Sequence, residues 1–264
     1  MPEGDTVWRA CRTLDKALTG SVVVADFRVP ALADTELTAT VTGTVARGKH
    51  LLTRFDQGDT LHTHLKMEGS WHLYRPDEHW RRPAHEARVV LTGQEWVAVG
   101  FSLGVVELLR TSAEHTVVGH LGPDLLGPDW DAAEAVRRLR ADPDRPLHEA
   151  LLDQRNLAGV GNMYAAELCF LAGRDPLTPV RDAGDLDRVV DRAHRLLLVN
   201  RERVEQTTTG DLRRDRRTWV YGRHGKPCRR CGSRILVGQA GPPGRERATY
   251  WCPSCQPLPE ESRA

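Results

Sequence analysis

The 264-residue sequence contains no run of about 18 apolar residues, so no segment is expected to span a membrane. Its charged N-terminus lacks an apolar signal region, which argues against secretion and for a cytoplasmic protein. Cysteine is sparse, with six residues, and these are not spread as a disulfide framework would be. Four form two close pairs near the C-terminus, while Cys11 and Cys169 stand alone in apolar helical stretches and read as core residues. That usage suits a reducing compartment and a metal. There is no internal repeat and no extended low-complexity tract. Net charge is also small, +1, which is poor for a nucleic-acid binder, but it is unevenly placed. Residues 201–255 hold 13 Lys/Arg against 5 Asp/Glu, a net of +8, and residues 256–264 carry −1, so residues 1–200 carry −6. A basic segment on an acidic protein is either a local phosphate-binding surface or a solvated basic face.

With 40% hydrophobic and 28% charged residues, the chain is of globular type, long enough for one or two cores and a small appendage. "DTVWRACRTLDKAL" (5–18) spaces Val7, Trp8, Cys11, Leu14 and Leu18 as a helix, which Asp5 or Thr6 could cap. Short β-branched segments split by Gly, Pro and Asp then predict a mostly antiparallel β-sandwich over 20–110. "HLGPDLLGPDW" looks like a domain boundary. Helical periodicity follows over 129–206, including "DLDRVVDRAHRLLLVNRERVEQ". The expected partition is 1–115, 128–210 and 219–256, an α+β multidomain chain.

Three constellations carry chemistry. Cys228-x2-Cys231 and Cys252-x2-Cys255, 20 residues apart, can place four thiolates on one tetrahedral structural zinc; a redox Cys-x-x-Cys is the lesser reading. So small a segment buries little core, so the metal would supply its folding energy. "LLDQRNLAGVGNMYAAELCF" reads as two helices around a turn with Gly159 and Gly161. Asn162 there opens the second helix, where free N–H groups favour anions. An ordinary helical hairpin would have the same spacing. "VARGKHLL" and "HTHLKMEGSW" place Lys49, His64, Lys66 and Met67 at strand or turn edges, where each alone is equally an ordinary surface or core residue. The chain also opens Met-Pro-Glu, and a small second residue usually leads to removal of Met1, leaving Pro2 as a terminal secondary amine beside Glu3.

Together and in this order, "PEGDTV", "RGKHLL", "HLKMEGSW", "HLGPDLL", "LLDQRNLAGVGNMYAAELCF" and "RATYWCPSCQ" resemble the formamidopyrimidine-DNA glycosylase / endonuclease VIII family, over nearly the whole chain. The resemblance implies an N-terminal antiparallel β-sandwich with an N-terminal helix, a helix–two-turn–helix domain and a C-terminal zinc β-hairpin finger. It implies a bifunctional DNA glycosylase and abasic-site lyase of base-excision repair, working as a monomer on damaged DNA with one structural zinc. On that resemblance Pro2 is the nucleophile, Glu3 shuttles protons at the sugar, Lys49 assists base release and elimination, and Arg247 grips phosphate and donates a proton in the later elimination. His64, His120 and Asn162 would contact the DNA backbone, and Lys66 and Met67 would occupy the segment that fills the gap left by a flipped nucleotide.

The chain departs from the 8-oxoguanine branch, which carries Arg-Arg-Phe-Gly after the intercalating loop. Here "GFSLGVVEL" puts Phe101, Ser102 and Leu103 in that place, and Ser102 cannot replace an arginine. The segment before "VYGR" is also short, and "PEGDTV" is closer to the endonuclease VIII style. Oxidised pyrimidines are therefore the expected substrates, with an 8-oxoguanine/formamidopyrimidine glycosylase and a non-catalytic DNA-binding protein as the alternatives.

Overall fold

A computed structural model describes residues 2–241, 244 and 246–258. Met1, residues 242, 243 and 245 of the expected 219–256 segment, and residues 259–264 lie outside the described residues. The chain divides into two compact units, Met1–His120 and Leu121–Ala264. No helix among the described residues is long and apolar enough to cross a membrane.

The first unit holds helix α1 (Gly4–Leu18) and strands β1 (Val22–Phe27), β2 (Leu37–Arg47), β3 (His50–Phe55), β4 (Asp59–His64), β5 (Ser70–Tyr74), β6 (Ala87–Thr92), β7 (Val97–Phe101) and β8 (Val105–Arg110), then the short helix α2 (His115–Val118). The strand order is β5-β7-β6-β1-β2-β3-β4-β8, and every pairing is antiparallel. The long β2 belongs to both halves. Its first part pairs with β1, its second with β3, and the register breaks between Val41 and Gly43. Such an irregularity bends a strand and lets one sheet fold over as two layers. The core draws on both halves: Val23, Val89 and Ala98 from one, Leu51, Leu61 and Val106 from the other. Into it α1 presses Val7, Cys11, Leu14 and Leu18 at the expected helical spacing, while Trp8 of the same set is only half-buried.

The helix starts at Gly4, with Glu3 rather than Asp5 or Thr6 at the N-cap, so Asp5 sits in the first turn. Two polar contacts pin α1 beside the β2 irregularity. Asp15 Oδ1 accepts from the Thr44 N–H at 2.9 Å, and the Cys11 thiol donates to Thr44 O at 3.0 Å. Burial, with Asp15 nearby, pushes that thiol up to about 12, so Cys11 stays a protonated core residue.

The second unit holds α3 (Ala132–Arg140), α4 (Leu147–Leu152), α5 (Asn162–Ala172), α6 (Leu186–Asn200) and a hairpin of β9 (Leu236–Ala240) and β10 (Arg247–Trp251). Asp131 and Asp185 cap α3 and α6, each accepting a backbone N–H three residues on. Helix α5 is buried on all sides from Asn162 to Phe170. Met163, Ala165 and Leu168 join the helical core, whereas Ala166 and Phe170 pack on Val220, Ile235, Cys228 and Cys252. A helix lying between two cores has no solvent stripe, which explains its unbroken apolar run. Helix α6 ends at Asn200, six residues short of the periodicity. The wholly buried Asn200 amide donates to Leu196 O and Thr207 O and accepts from the Thr207 N–H, so the chain is drawn into a loop there.

Candidate active site and DNA interface

In the first unit, Pro2 directly precedes the N-cap of α1 and is half-buried, and Glu3 is wholly buried. Their place at the helix start puts them at the positive end of the helix dipole. Lys49 sits in the two-residue turn between β2 and β3, closed by the Arg47–His50 pair. Gly48 there has φ +57°, as a tight turn with glycine at its first position requires.

The next strand pair carries the histidines. His50 on β3 faces His64 on β4, and their rings meet edge-on at 5.0 Å. His120 lies edge-on to the same His50 ring at 6.3 Å. His64 Nδ1 accepts the Lys66 N–H at 2.9 Å, which fixes the neutral ring with its hydrogen on Nε2. Burial, then Lys66, Lys49 and His62, push His64 down to about 4. The structure therefore gathers Lys49, His64, Lys66 and His120 in one region, and adds His50 and His62, which the sequence did not single out.

Met67 is 56% exposed at the tip of the β4–β5 loop, an unusual setting for so large an apolar side chain. Lys66 before it has φ +53°, and its side chain lies so closely on Gly104 that any side chain there would collide with it. The β7–β8 turn, where the arginines of the other branch are absent, is occupied from elsewhere. Arg82 donates to Glu68 O (3.2 Å), Ser70 Oγ (2.8 Å) and Ser102 Oγ (3.0 Å) and pairs with Glu86 at 2.8 Å, its guanidinium over Phe101. Ser102, at φ +47°, is thus committed to holding Arg82. The same guanidinium ties that turn to the loop bearing Met67.

In the second unit, Asn162 is the first residue of α5 and donates to Ala248 O at 2.7 Å. Arg247, exposed at the head of β10, is the residue before that carbonyl. The wholly buried His148 lies beneath, pushed down to about 4 by burial, with Asn162 opposing and Arg247 adding to the shift. In the turn between α4 and α5, Gly159 has φ +110°, whereas Gly161 is extended. The basic segment is less free than its charge suggests. Arg223 and Arg229 donate to backbone carbonyls, Arg230 stacks over Phe170 at 4.4 Å, and Arg213 and Arg217 pair with Asp211 and Glu205. Beneath it, the buried Glu167 accepts the N–H groups of Trp219, Val220 and Tyr221 at 2.8 Å and the Thr208 hydroxyl, anchoring the segment to α5.

The four cysteines converge, with all four Sγ atoms within 4.8 Å of one another. The Cys228–Cys255 and Cys231–Cys252 separations are 3.9 and 3.4 Å. Thiolates about 2.3 Å from a tetrahedral ion stand roughly 3.8 Å apart, so the donor set fits one closed metal site with no open position.

The family model for the formamidopyrimidine-DNA glycosylase N-terminal domain matches residues 1–101, and that for the formamidopyrimidine-DNA glycosylase H2TH domain matches 121–209. The chain is 52% identical over 264 residues to a probable endonuclease 8 2 of Streptomyces coelicolor, covering 98% of this chain and 95% of that protein. It is 48% identical over 258 residues to the DNA-(apurinic or apyrimidinic site) lyase Nei2 of Mycolicibacterium smegmatis, covering 97% and 99%. Lactococcus lactis Fpg, solved with DNA containing N7-benzyl-Fapy-dG, superposes with a TM-score of 0.80 at 22% identity over 97% of this chain and 100% of that one. By its matched domains, its full-length relatives and its fold, the chain belongs to the formamidopyrimidine-DNA glycosylase family.

Proposed function

We infer that this protein is a base-excision repair enzyme, a bifunctional DNA glycosylase and abasic-site lyase. The observation that carries the reading is Pro2 at the open end of α1 followed by the wholly buried Glu3, in a chain whose relatives include a named abasic-site lyase. With Met1 removed, the Pro2 secondary amine attacks C1′ of the damaged nucleotide as the base departs. An α-amino group has a pKa of roughly 8, so a useful neutral fraction exists near physiological pH. The dipole of α1 further disfavours the protonated amine. Glu3 protonates the ring oxygen as the sugar opens to the iminium, and its burial directs that proton to the substrate rather than to solvent. Loss of a 2′ proton expels the 3′ phosphate, and a second elimination expels the 5′ phosphate. Lys49 assists base release and the first elimination, and Arg247 the second.

Damaged DNA is held by its backbone at His64, His120, Asn162 and Arg247, while Met67, with Lys66 beside it, fills the place of the flipped nucleotide. The protein acts as a monomer in the cytoplasm, associated with the nucleoid through DNA, and the partition 1–115, 128–210 and 219–256 describes its working parts. Oxidised pyrimidines are the preferred substrates, because Ser102 is engaged by Arg82 and offers no arginine to an orphaned cytosine. In a panel of duplexes, thymine glycol and 5-hydroxycytosine should be excised faster than 8-oxoguanine opposite cytosine. The reverse ranking would restore the purine-type reading, and excision of none of them would favour a non-catalytic DNA-binding protein.

Zinc is the ion that Cys228, Cys231, Cys252 and Cys255 would hold, supplying no chemistry beyond folding of the hairpin that carries Arg247. Stripping the metal should therefore weaken DNA binding. Arg247→Ala should leave one metal per chain, weaken binding, and reduce the salt slope of affinity by about 1, since one phosphate contact is gone. It should also let the β-elimination product accumulate over the δ-product. Wild-type affinity and product ratio in that variant would make Arg247 an ordinary exposed charge.

A further inference from the structure

His50 and His62 form a hydrogen-bonded chain that ends on a carboxylate. His50 Nδ1 lies 2.8 Å from His62 Nε2, and His62 Nδ1 lies 3.0 Å from Glu107 Oε2. His62 is almost wholly buried and stacks on His50 at 5.0 Å, while Glu107 on β8 is half-exposed. Valence restricts what this chain can be. An ionised Glu107 only accepts, so His62 Nδ1 carries a hydrogen. One hydrogen, and only one, lies between His62 Nε2 and His50 Nδ1. If His62 is neutral, that hydrogen belongs to His50 Nδ1, and His50 Nε2 on the far side of the ring is a bare lone pair. If His62 is an imidazolium paired with Glu107, the hydrogen belongs to His62 Nε2. The neutral His50 then carries its hydrogen on Nε2 and turns a donor outward. The two states differ by one proton. It is bound at His50 Nε2 while the Nδ1 hydrogen passes to His62, and the positive charge rests beside Glu107.

We propose that the Glu107–His62 pair switches His50 between hydrogen-bond acceptor and donor, and that a DNA phosphate selects the donor state, making His50 a further backbone-binding residue whose engagement takes up one proton. The proposal rests on the reading that His64 and His120 contact the DNA backbone, since those two rings flank His50. His64 needs no switch, because the Lys66 N–H already leaves its hydrogen on Nε2. Phosphate oxygens accept but do not donate, so a bare His50 Nε2 would repel what His64 attracts. The groups facing His50 are His62 and His64 on β4, Lys66 after it, His120, and Arg47 across the hairpin; Glu107 is one ring further away. Burial, then His64, His62, His120 and Lys66, push His50 down to about 3, so the isolated ring resists taking a charge of its own. Placing the charge on His62 against Glu107 avoids that cost, and a phosphate adds attraction for it. A ligand that favours a proton-bound state binds more tightly as pH falls.

The test uses the full chain and a duplex with a tetrahydrofuran abasic analogue, which lacks the C1′ hydroxyl and is not processed. Proton uptake on binding is read by calorimetry in buffers of different ionisation heat. The His50 tautomer is read from ring ¹⁵N shifts. His50 in the free protein at high pH should carry its hydrogen on Nδ1, and in the complex on Nε2. Glu107→Gln keeps an acceptor for His62 but removes the countercharge. It should lose about one proton of uptake and bind about tenfold more weakly at pH 6, the scale of one hydrogen bond to a charged group, with the difference closing at high pH. His50→Gln should lose the same proton with an unchanged melting temperature. Wild-type proton uptake in Glu107→Gln, or an Nδ1–H His50 in the complex, would overturn the switch. If His64→Ala and His120→Ala bind with wild-type affinity and salt dependence, the backbone-contact reading itself fails. If they weaken binding while Glu107→Gln takes up its proton, only the switch fails.

Discussion

Glu3→Gln should lose base excision by roughly 10²–10⁴-fold while retaining measurable cleavage of a preformed abasic site. The two activities separate because they ask different things of the residue. Excision of an intact nucleoside requires the closed sugar to open, and that step needs a proton at the ring oxygen. An abasic site already equilibrates with its open aldehyde, so the amine can condense with it unaided. Glutamine preserves the size of the side chain at a position with no room to spare, since Glu3 is wholly buried at the N-cap position of α1. A melting temperature near wild type would attribute the loss to chemistry rather than to a disturbed helix start. Equal loss of both activities, or of neither, would contradict this division of roles.

Extending the N-terminus by even a short tag should cost on the order of 10³-fold or more in both excision and lyase activity, as removal of a positioned nucleophile does. The reason is covalent: an extension converts the Pro2 amine to an amide, whose nitrogen lone pair is delocalised and no longer nucleophilic. The buried neighbour Glu3 leaves the extension no route to a tolerated alternative. Pro2→Gly is gentler, since a primary amine can still form an imine, but that imine must be protonated to withdraw electrons as the Pro2 iminium does, and glycine is less fixed. It should retain weak activity and trap poorly with borohydride. Undiminished activity in the tagged protein would remove the amine from the mechanism.

Much of the architecture could be read from local pattern. The 4-3-4 spacing of Val7, Cys11, Leu14 and Leu18 survives intact as the buried face of α1, because a helix buries residues by their position along the chain. The cysteine pairs likewise needed only spacing. What was missed depends on strands meeting. His62 faces Glu107 across β4 and β8, 45 residues apart, and reaches His50 diagonally from the His50–His64 pair, so the histidine chain exists only once the register is set. Asn162 at the start of α5 and Ala248 on β10 meet over 86 residues, a helix-to-hairpin contact that local pattern likewise does not show. Arg82 comes from an irregular stretch with no periodicity to mark it, yet four acceptors converge on it. The overlong α6 shows the opposite error. Periodicity continued past Asn200, but a buried amide that bonds Thr207 outweighed the helical preference of a few exposed residues.

The atom that reacts with the sugar, the Pro2 nitrogen, can be identified from the trapped adduct itself. Borohydride added during turnover on an abasic-site duplex reduces the iminium to a stable amine, and digestion followed by mass spectrometry locates the sugar remnant. A single modified peptide is expected, one that begins at Pro2, lacks Met1 and carries the remnant on its terminal nitrogen. A remnant on Lys49, or an active enzyme whose N-terminal peptide retains Met1, would contradict it.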